Sequence, residues 1–284
     1  MDEQGQAPPT QRTTRAGATL LEDAPDQRYV GGRDLIRWPS AVGRAVLAAG
    51  RWLHRWFAAD QVLALTLVVG VAVLALATVL AGEVYESVVE ASGVAGLDQP
   101  ALEAAKSLRT PAGTTLVQAW TTVGGPVGMP VVATLAALGL ALLWRQWSPV
   151  VLVAATAAGS LVLTIAGKEL LGRARPAFSD AVPPYELSPS FPSGHSLNAA
   201  AIAGTVAYLV VRRLHSARAR GATVALAGAF AVTIGLTRVY LGHHWTTDVL
   251  FGWALGAAWL AVVVIAHRVF LTLHHHGASA GRQT

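Results

Sequence analysis

Three short stretches hold most of the side chains that could act on a charged substrate. The first runs from Lys168 through Arg173 and Arg175 to Pro176. Pro176 biases Arg175 away from helical geometry, so a helix that carries Lys168 should stop near here. A lysine and an arginine seven apart on a helix share one face and can reach the same anion. Arg173, between them, reads as a rim charge. The second stretch is Phe191-Pro192-Ser193-Gly194-His195-Ser196, directly before an apolar run. Ser193 suits a helix N-cap and Gly194 lets the backbone approach a ligand, while the free N–H groups of a helix start attract phosphate. His195 would stand beside that anion, where an imidazole exchanges a proton near neutral pH.

The third stretch runs from Thr237-Arg238 through His243-His244 to Asp248. His244 and Asp248 are four apart, hence neighbours on one helix face. A carboxylate in that relation holds one ring nitrogen protonated and leaves the other free to attack. Arg238 adds a forked phosphate donor. His243 would point roughly 100° away on the same helix and is secondary. Each stretch alone has a plain structural reading: a snorkelling lysine, a capped turn, a histidine–aspartate hydrogen bond. Together they put three cations and two histidines at the ends of apolar runs, where polar groups are costly and point to function.

The elements that must position these groups are membrane helices. Hydrophobic residues make up 53% of the 284 positions and only 13% are charged, where a soluble domain carries about 25%. An uncharged apolar run spans residues 62–82, and others fall at 127–144, 149–167, 197–211, 222–237 and 249–266. About 20 helical residues cross a hydrocarbon core. The expected fold is an all-α polytopic membrane bundle with six transmembrane helices, the first a retained signal anchor. The runs near residues 200 and 230 are short, and their polar ends would complete them by lining a protein cavity. Gly252 and Gly256 permit close helix packing, either within the chain or in a homodimer.

The flanks complete the organisation. Residues 1–34 are polar and read as a disordered cytoplasmic tail. Residues 35–60 alternate apolar side chains with Arg44, Arg51 and Arg55, as in an interfacial amphipathic helix on anionic membrane lipids. Residues 61–270 form the bundle and 271–284 a C-terminal tail. With both termini inside, 15 of the 21 Lys and Arg residues fall on the inner side, as membrane topology favours. Lys168, Arg173, Arg175 and Arg238 break that rule at the candidate site, which places it on the extracytoplasmic side of a multi-pass cell-membrane protein.

Several classes are excluded. The chain has no cysteine, which removes disulfides, thiolate zinc sites and cysteine-dependent phosphatases. Its net charge of +5 flanks apolar runs and forms no polar basic domain, so nucleic acid is not a partner. No His-Glu-x-x-His pattern is present, and three nearby cations would repel a divalent metal. Gly167-Lys168 lacks both the upstream glycine and the following hydroxyl of a nucleotide-binding P-loop.

The three stretches resemble the phosphatidic acid phosphatase type 2 superfamily. Its lysine, six residues, Arg-Pro pattern reads here Lys168 to Arg175-Pro176. Its Pro-Ser-Gly-His reads Pro192-Ser193-Gly194-His195, and its third motif reads Thr237-Arg238 to His244 and Asp248. Thr237 stands where serine is usual and keeps the hydroxyl. The apolar runs extend the likeness to the membrane lipid phosphatase branch. The resemblance implies that His244 attacks phosphorus to give a phosphohistidine and that Asp248 orients it. It implies that His195 protonates the leaving alkoxide and then activates water. Lys168, Arg175, Ser193, Gly194 and Arg238 would bind the phosphoryl oxygens, with no metal and no cofactor.

The expected activity is therefore a metal-independent phosphatase for lipid phosphate or diphosphate esters. Phosphatidic acid, phosphatidylglycerol phosphate, a polyprenyl-phosphosugar and a polyprenyl carrier such as undecaprenyl diphosphate all fit, and the outward site favours a carrier. The alternatives are a lipid phosphotransferase, recognised by a requirement for an acceptor, and a non-catalytic lipid-binding or transport protein, recognised by the absence of phosphate release.

Overall fold

The protein is described by a computed structural model over residues 29–30, 33–54 and 93–280. The apolar run 62–82, expected as the first span, lies outside the described residues, as does most of the 1–34 tail. Apart from a two-residue antiparallel pair, β1 (Tyr29–Val30) with β2 (Arg33–Asp34), the regular elements described are helical. They are α1 (Ala41–His54), a single turn at Gly93–Leu97, α2 (Asp98–Ser107), α3 (Pro111–Val123), α4 (Gly128–Trp144), α5 (Ser148–Leu171), α6 (Gly194–Val211), α7 (Ala217–Tyr240) and α8 (Thr246–Ala280).

Local chemistry explains most boundaries. Thr110 caps α3 by accepting from the Gly113 amide, with Pro111 in the first turn, where its missing N–H costs nothing. Helix α5 ends at Gly172, whose φ of +55° is the left-handed conformation glycine adopts without a Cβ penalty. Ser193 caps α6 and Ser216 caps α7. The two runs that looked short are extended at these ends, α6 to 18 residues and α7 to 24.

Four helices are long and apolar enough to cross a membrane: α5, α6, α7 and α8 over Thr246–Thr272. Helices α3 and α4 meet at a 52° bend and together could make a fifth, broken span. The expected six is thus four or five among the described residues. Alone, the run near 127–144 yields a 17-residue helix, and one further run lies outside the described part. Helices α2 and α3 were not visible as elements in the sequence, because neither carries a long apolar run. Leu135, Leu142, Leu143, Leu161 and Leu226 are all more than half exposed, as expected of side chains that face lipid. The C-terminal stretch, expected as a tail from 271, is helical through Ala280.

Helix α6 is the centre of the bundle, with Leu197, Ala199 and Ala201 fully buried among α5, α7 and α8. A side chain at Gly256 would place its Cβ 2.5 Å from the Leu197 carbonyl oxygen, and one at Gly252 would place it 2.8 Å from the Ser193 carbonyl oxygen. These glycines therefore serve contact within the chain. Thr156 of α5 and Thr205 of α6 meet at 2.9 Å while bonding to their own helices, so no buried hydroxyl is left unsatisfied there. Because α5 and α7 run one way and α6 and α8 the other, one end of the bundle collects Lys168, Gly194, Arg238 and Asp248. At the other end Arg268 donates to the Leu35 carbonyl at 2.9 Å and stacks on Trp38 at 4.3 Å, which fastens the segment before α1.

Candidate active site

Four helix ends and the loop between α5 and α6 build the site. Helix α8 starts only at Thr246, so His243 and His244 lie in the turn after α7 and not on a helix with Asp248. This corrects the reading of a shared helix face, and with it the 100° separation of His243. Gly242 makes the turn possible with φ of +70°; any side chain there would place its Cβ 2.4 Å from the Asp180 carbonyl oxygen. The amides of His243 and His244 both donate to the Arg238 carbonyl, at 2.9 and 3.2 Å.

The pairing of His244 with Asp248 survives this change of geometry. His244 Nδ1 lies 3.4 Å from Asp248 Oδ2, and both side chains are buried. Ser190 donates to the same carboxylate oxygen at 2.5 Å, and the Trp245 amide donates to it at 2.9 Å. On the other side of the ring, Arg175 Nη1 stands 3.2 Å from His244 Nε2. An arginine can only donate, so Nε2 presents its lone pair and the ring proton belongs on Nδ1, toward Asp248. Burial, and then the charges of Arg238 and Arg175, hold the imidazole well below the ordinary histidine range. His244 is thus a neutral imidazole whose Nε2 lone pair faces the Arg175 guanidinium.

Lys168 and Arg175 do not share a helix face, because the chain leaves α5 at Gly172. They converge by gripping one loop: Lys168 Nζ donates to Ser188 Oγ at 2.8 Å and to the Pro189 carbonyl at 2.7 Å. Arg175 donates from Nε to the Ser188 carbonyl at 2.7 Å. Arg238 is 2% exposed, donates to Thr121 of α3 at 3.1 Å, and keeps a buried Nε with no partner among the described residues. Thr237 donates to the same Thr121 hydroxyl at 2.9 Å.

Glu186, in the loop before α6, pairs with both arginines, through Oε2 to Arg175 at 2.8 Å and through Oε1 to Arg238. Burial alone would raise its carboxyl pKa, but Arg238 and Arg175 outweigh burial and hold it down at about 2. The carboxylate stands where these two guanidinium groups would hold any other anion. His243, by contrast, lies against the Val182 carbonyl at 2.6 Å and has a structural place beside the site.

Ser193 caps α6 by accepting from the Ser196 amide at 3.4 Å. Its own amide donates to the Asp248 carbonyl at 3.1 Å, tying the starts of α6 and α8 together. Gly194 and His195 open onto a cavity of about 1030 Å³ that also touches Lys168, Glu186, Arg238 and His244. The backbone at the bend between α3 and α4 borders the imidazole: a Cβ built on Gly125 would come within 3.4 Å of His195 Nε2. Below this polar mouth the cavity becomes apolar, lined by Ala133, Ala137, Val153 and Ala157 and reaching Val150. From Lys168 to Val150 is about 27 Å along α5, close to the thickness of a hydrocarbon core at about 30 Å.

Arg173 is not a rim charge. It is 8% exposed and bonds to Asp248 Oδ1 at 2.5 Å and to Asp98 at 2.7 Å. Sequence reasoning missed Asp98, Thr121, Glu186, Ser188 and Ser190, none of which stands in a periodic or motif context. Among the described residues, no three His, Asp or Glu side chains are grouped so as to hold a metal ion.

Residues 147–272 match the model of the PAP2 superfamily. Over 90 residues the chain is 46% identical to phosphatidylglycerophosphatase B of Bacillus subtilis (strain 168), a match covering 31% of this chain and 43% of that relative's length. A solved structure, the transmembrane PAP2-type phosphatidylglycerolphosphate phosphatase from Bacillus subtilis, superposes with a TM-score of 0.58 at 29% identity. It covers 68% of this chain and 93% of its own. LpxE of Aquifex aeolicus aligns with a TM-score of 0.47 at 20% identity, over 59% of this chain and 94% of its own. With its apolar helices and its likeness to a solved transmembrane PAP2-type phosphatase, the chain is a multi-pass membrane protein.

Proposed function

We propose that this chain is a metal-independent phosphatase for lipid phosphate or diphosphate esters that works through a phosphohistidine. The observation that carries the reading is the continuity of the cavity, which joins a cationic mouth holding a neutral imidazole to an apolar slot of membrane depth. Only a molecule with a phosphate head and a hydrocarbon tail matches both halves.

His244 Nε2 attacks phosphorus and forms the N–P bond as the ester P–O bond breaks. Asp248 stabilises the positive ring through Nδ1–H. His195 gives its proton to the departing alkoxide, then accepts one from the water that attacks the phosphohistidine and releases inorganic phosphate. Lys168, Arg175, Arg238 and the Gly194 turn hold the equatorial oxygens, and electrostatic positioning of this kind is most of what phosphoryl transfer requires. Three fixed cations perform the charge neutralisation for which other enzymes use magnesium. The basic-residue bias of the flanking segments supports a site on the extracytoplasmic side, with both termini cytoplasmic.

The names of the Bacillus relatives put phosphatidylglycerophosphate first among substrates to test, beside the polyprenyl diphosphate that an outward site favours. The test is phosphate release by purified protein from a panel of lipid phosphates in EDTA, beside His244→Ala. Release by wild type and none by the variant supports the reading. Activity that EDTA abolishes and magnesium restores, or a variant as active as wild type, overturns it.

A further inference from the structure

The first residue of α2, Asp98, lies outside the matched 147–272 region, yet it reaches the start of α8. Asp98 is 5% exposed, and both of its oxygens are occupied. Oδ1 accepts from the Thr247 amide at 2.9 Å; Oδ2 accepts from the Thr247 hydroxyl and from Arg173 Nη2, each at 2.7 Å. Arg173 Nη1 then bonds to the Thr247 hydroxyl at 2.7 Å and to Asp248 Oδ1 at 2.5 Å. The guanidinium is also stacked near the Trp245 ring, at 5.7 Å. Asp98, Arg173 and Asp248 thus form a buried line of alternating charge, ending on the carboxylate that faces His244.

We infer that Asp98 is a positioning residue for the His244–Asp248 pair, acting from outside the family's motifs in two ways. It caps the buried Thr247 amide in the first turn of α8, which has no partner within its own helix, fixing the turn that carries Asp248. It also shares Arg173, so that the guanidinium does not direct its whole charge at Asp248. The inference rests on the hydrolase reading, because a shared charge at this place matters only if His244 becomes cationic during turnover.

The direction of the effect is set by charge. Without the Asp98 charge, Arg173 is left with Asp248 alone, the field of Asp248 at His244 Nδ1 weakens, and the imidazolium is less stable. The other charged groups facing His244 are Arg175, Arg238 and Lys168, which oppose protonation, and Glu186, which favours it. Asp98→Asn keeps the shape and leaves those four untouched. It should lower kcat about tenfold, a size typical of slight misplacement at a reacting centre, leave KM within a factor of about two, and move the acid limb of kcat/KM to lower pH. Asp98→Glu, which restores the charge, should recover the limb.

The same shift is readable without turnover by NMR titration of isotope-labelled histidine in detergent, with His244 assigned by His244→Gln. Wild-type kcat and an unmoved His244 titration in Asp98→Asn overturn the inference, as does lowered thermal stability with an unchanged titration. If Asp98→Asn does not fold, Asp98→Glu decides: it keeps the charge, so an acid limb or a His244 titration moved away from the wild-type position overturns the proposal. A wild type that releases no phosphate sinks the hydrolase reading, and the titration still decides the placement of Asp98.

Discussion

Glu186 holds Arg238 in an ion pair within the cationic mouth, and its second oxygen holds Arg175 at 2.8 Å. With a pKa of about 2 the carboxylate is ionised at every practical pH. An incoming phosphate must therefore displace an anion already in place. Glu186→Gln removes that competitor, so orthovanadate inhibition should tighten, roughly threefold to tenfold. An unchanged or weaker vanadate inhibition constant would count against competition for the same guanidinium groups.

His244 faces Asp248 through Nδ1 and offers Nε2 to the substrate. His244→Ala should leave a folded protein without measurable turnover. Asp248→Asn presents an amide where the ring proton needs an acceptor, and kcat should fall by roughly a thousandfold. Single-turnover experiments with labelled lipid phosphate, quenched in base, should show a phosphorylated protein in wild type and none in His244→Ala.

The pH dependence originates in burial. The folded pKa of His244 lies below the ordinary 6.5, so the neutral nucleophile persists on mild acidification. The acid limb of kcat/KM, which reports the free enzyme, should therefore fall below that value. The sign for stability is separate: below 6.5 the unfolded chain takes up a proton that the folded histidine refuses. Stability should then decline as pH drops from that point toward the folded pKa. Rates and thermal melts from mildly acidic to mildly basic pH in one detergent check both statements.

Much of this was legible from spacing. Lys168, Arg175, His195, Arg238, His244 and Asp248 stand at motif distances, and their positions at the ends of apolar runs foretold one polar end of a bundle. What spacing could not give was the route by which they meet. His244 and Asp248 read as helix neighbours, but a left-handed glycine ends the preceding helix and the histidine sits in a turn. Arg173 read as a surface charge because its partners, Asp98 and Asp248, are 75 residues away on either side. Glu186 and Thr121 are ordinary residues in sequence; only packing gives them a place beside Arg238.

Thr121 supplies a second prediction about that arginine. Its hydroxyl receives donors from Thr237 and from Arg238 Nη1. Thr121→Val keeps the volume and removes the acceptor, freeing the guanidinium to turn. A loss of about tenfold in kcat/KM is expected, with little change in thermal stability. Equal kinetics would show that Glu186 alone fixes Arg238.

Gly252 tests the packing that supports the α6 start. A methyl group there meets the Ser193 carbonyl oxygen at 2.8 Å, in the turn that presents His195. Gly252→Ala should cost about 1–3 kcal/mol as an overpacked contact and lower activity further than the loss of folded protein explains. Thermal melts read beside specific activity separate the two.

The slot beneath the cationic mouth also bears on the fate of the two products. On the proposed reading, inorganic phosphate would leave at the wet end, whereas the dephosphorylated lipid would stay along the α5 side of the slot and pass sideways into the bilayer. The products part into different phases, so resynthesis would require a dilute aqueous ion to meet a membrane-dissolved alcohol again inside one protein. Geometry of this kind would give each product its own exit, while the direction of the reaction is set by the free energy of ester hydrolysis and by dilution of the phosphate.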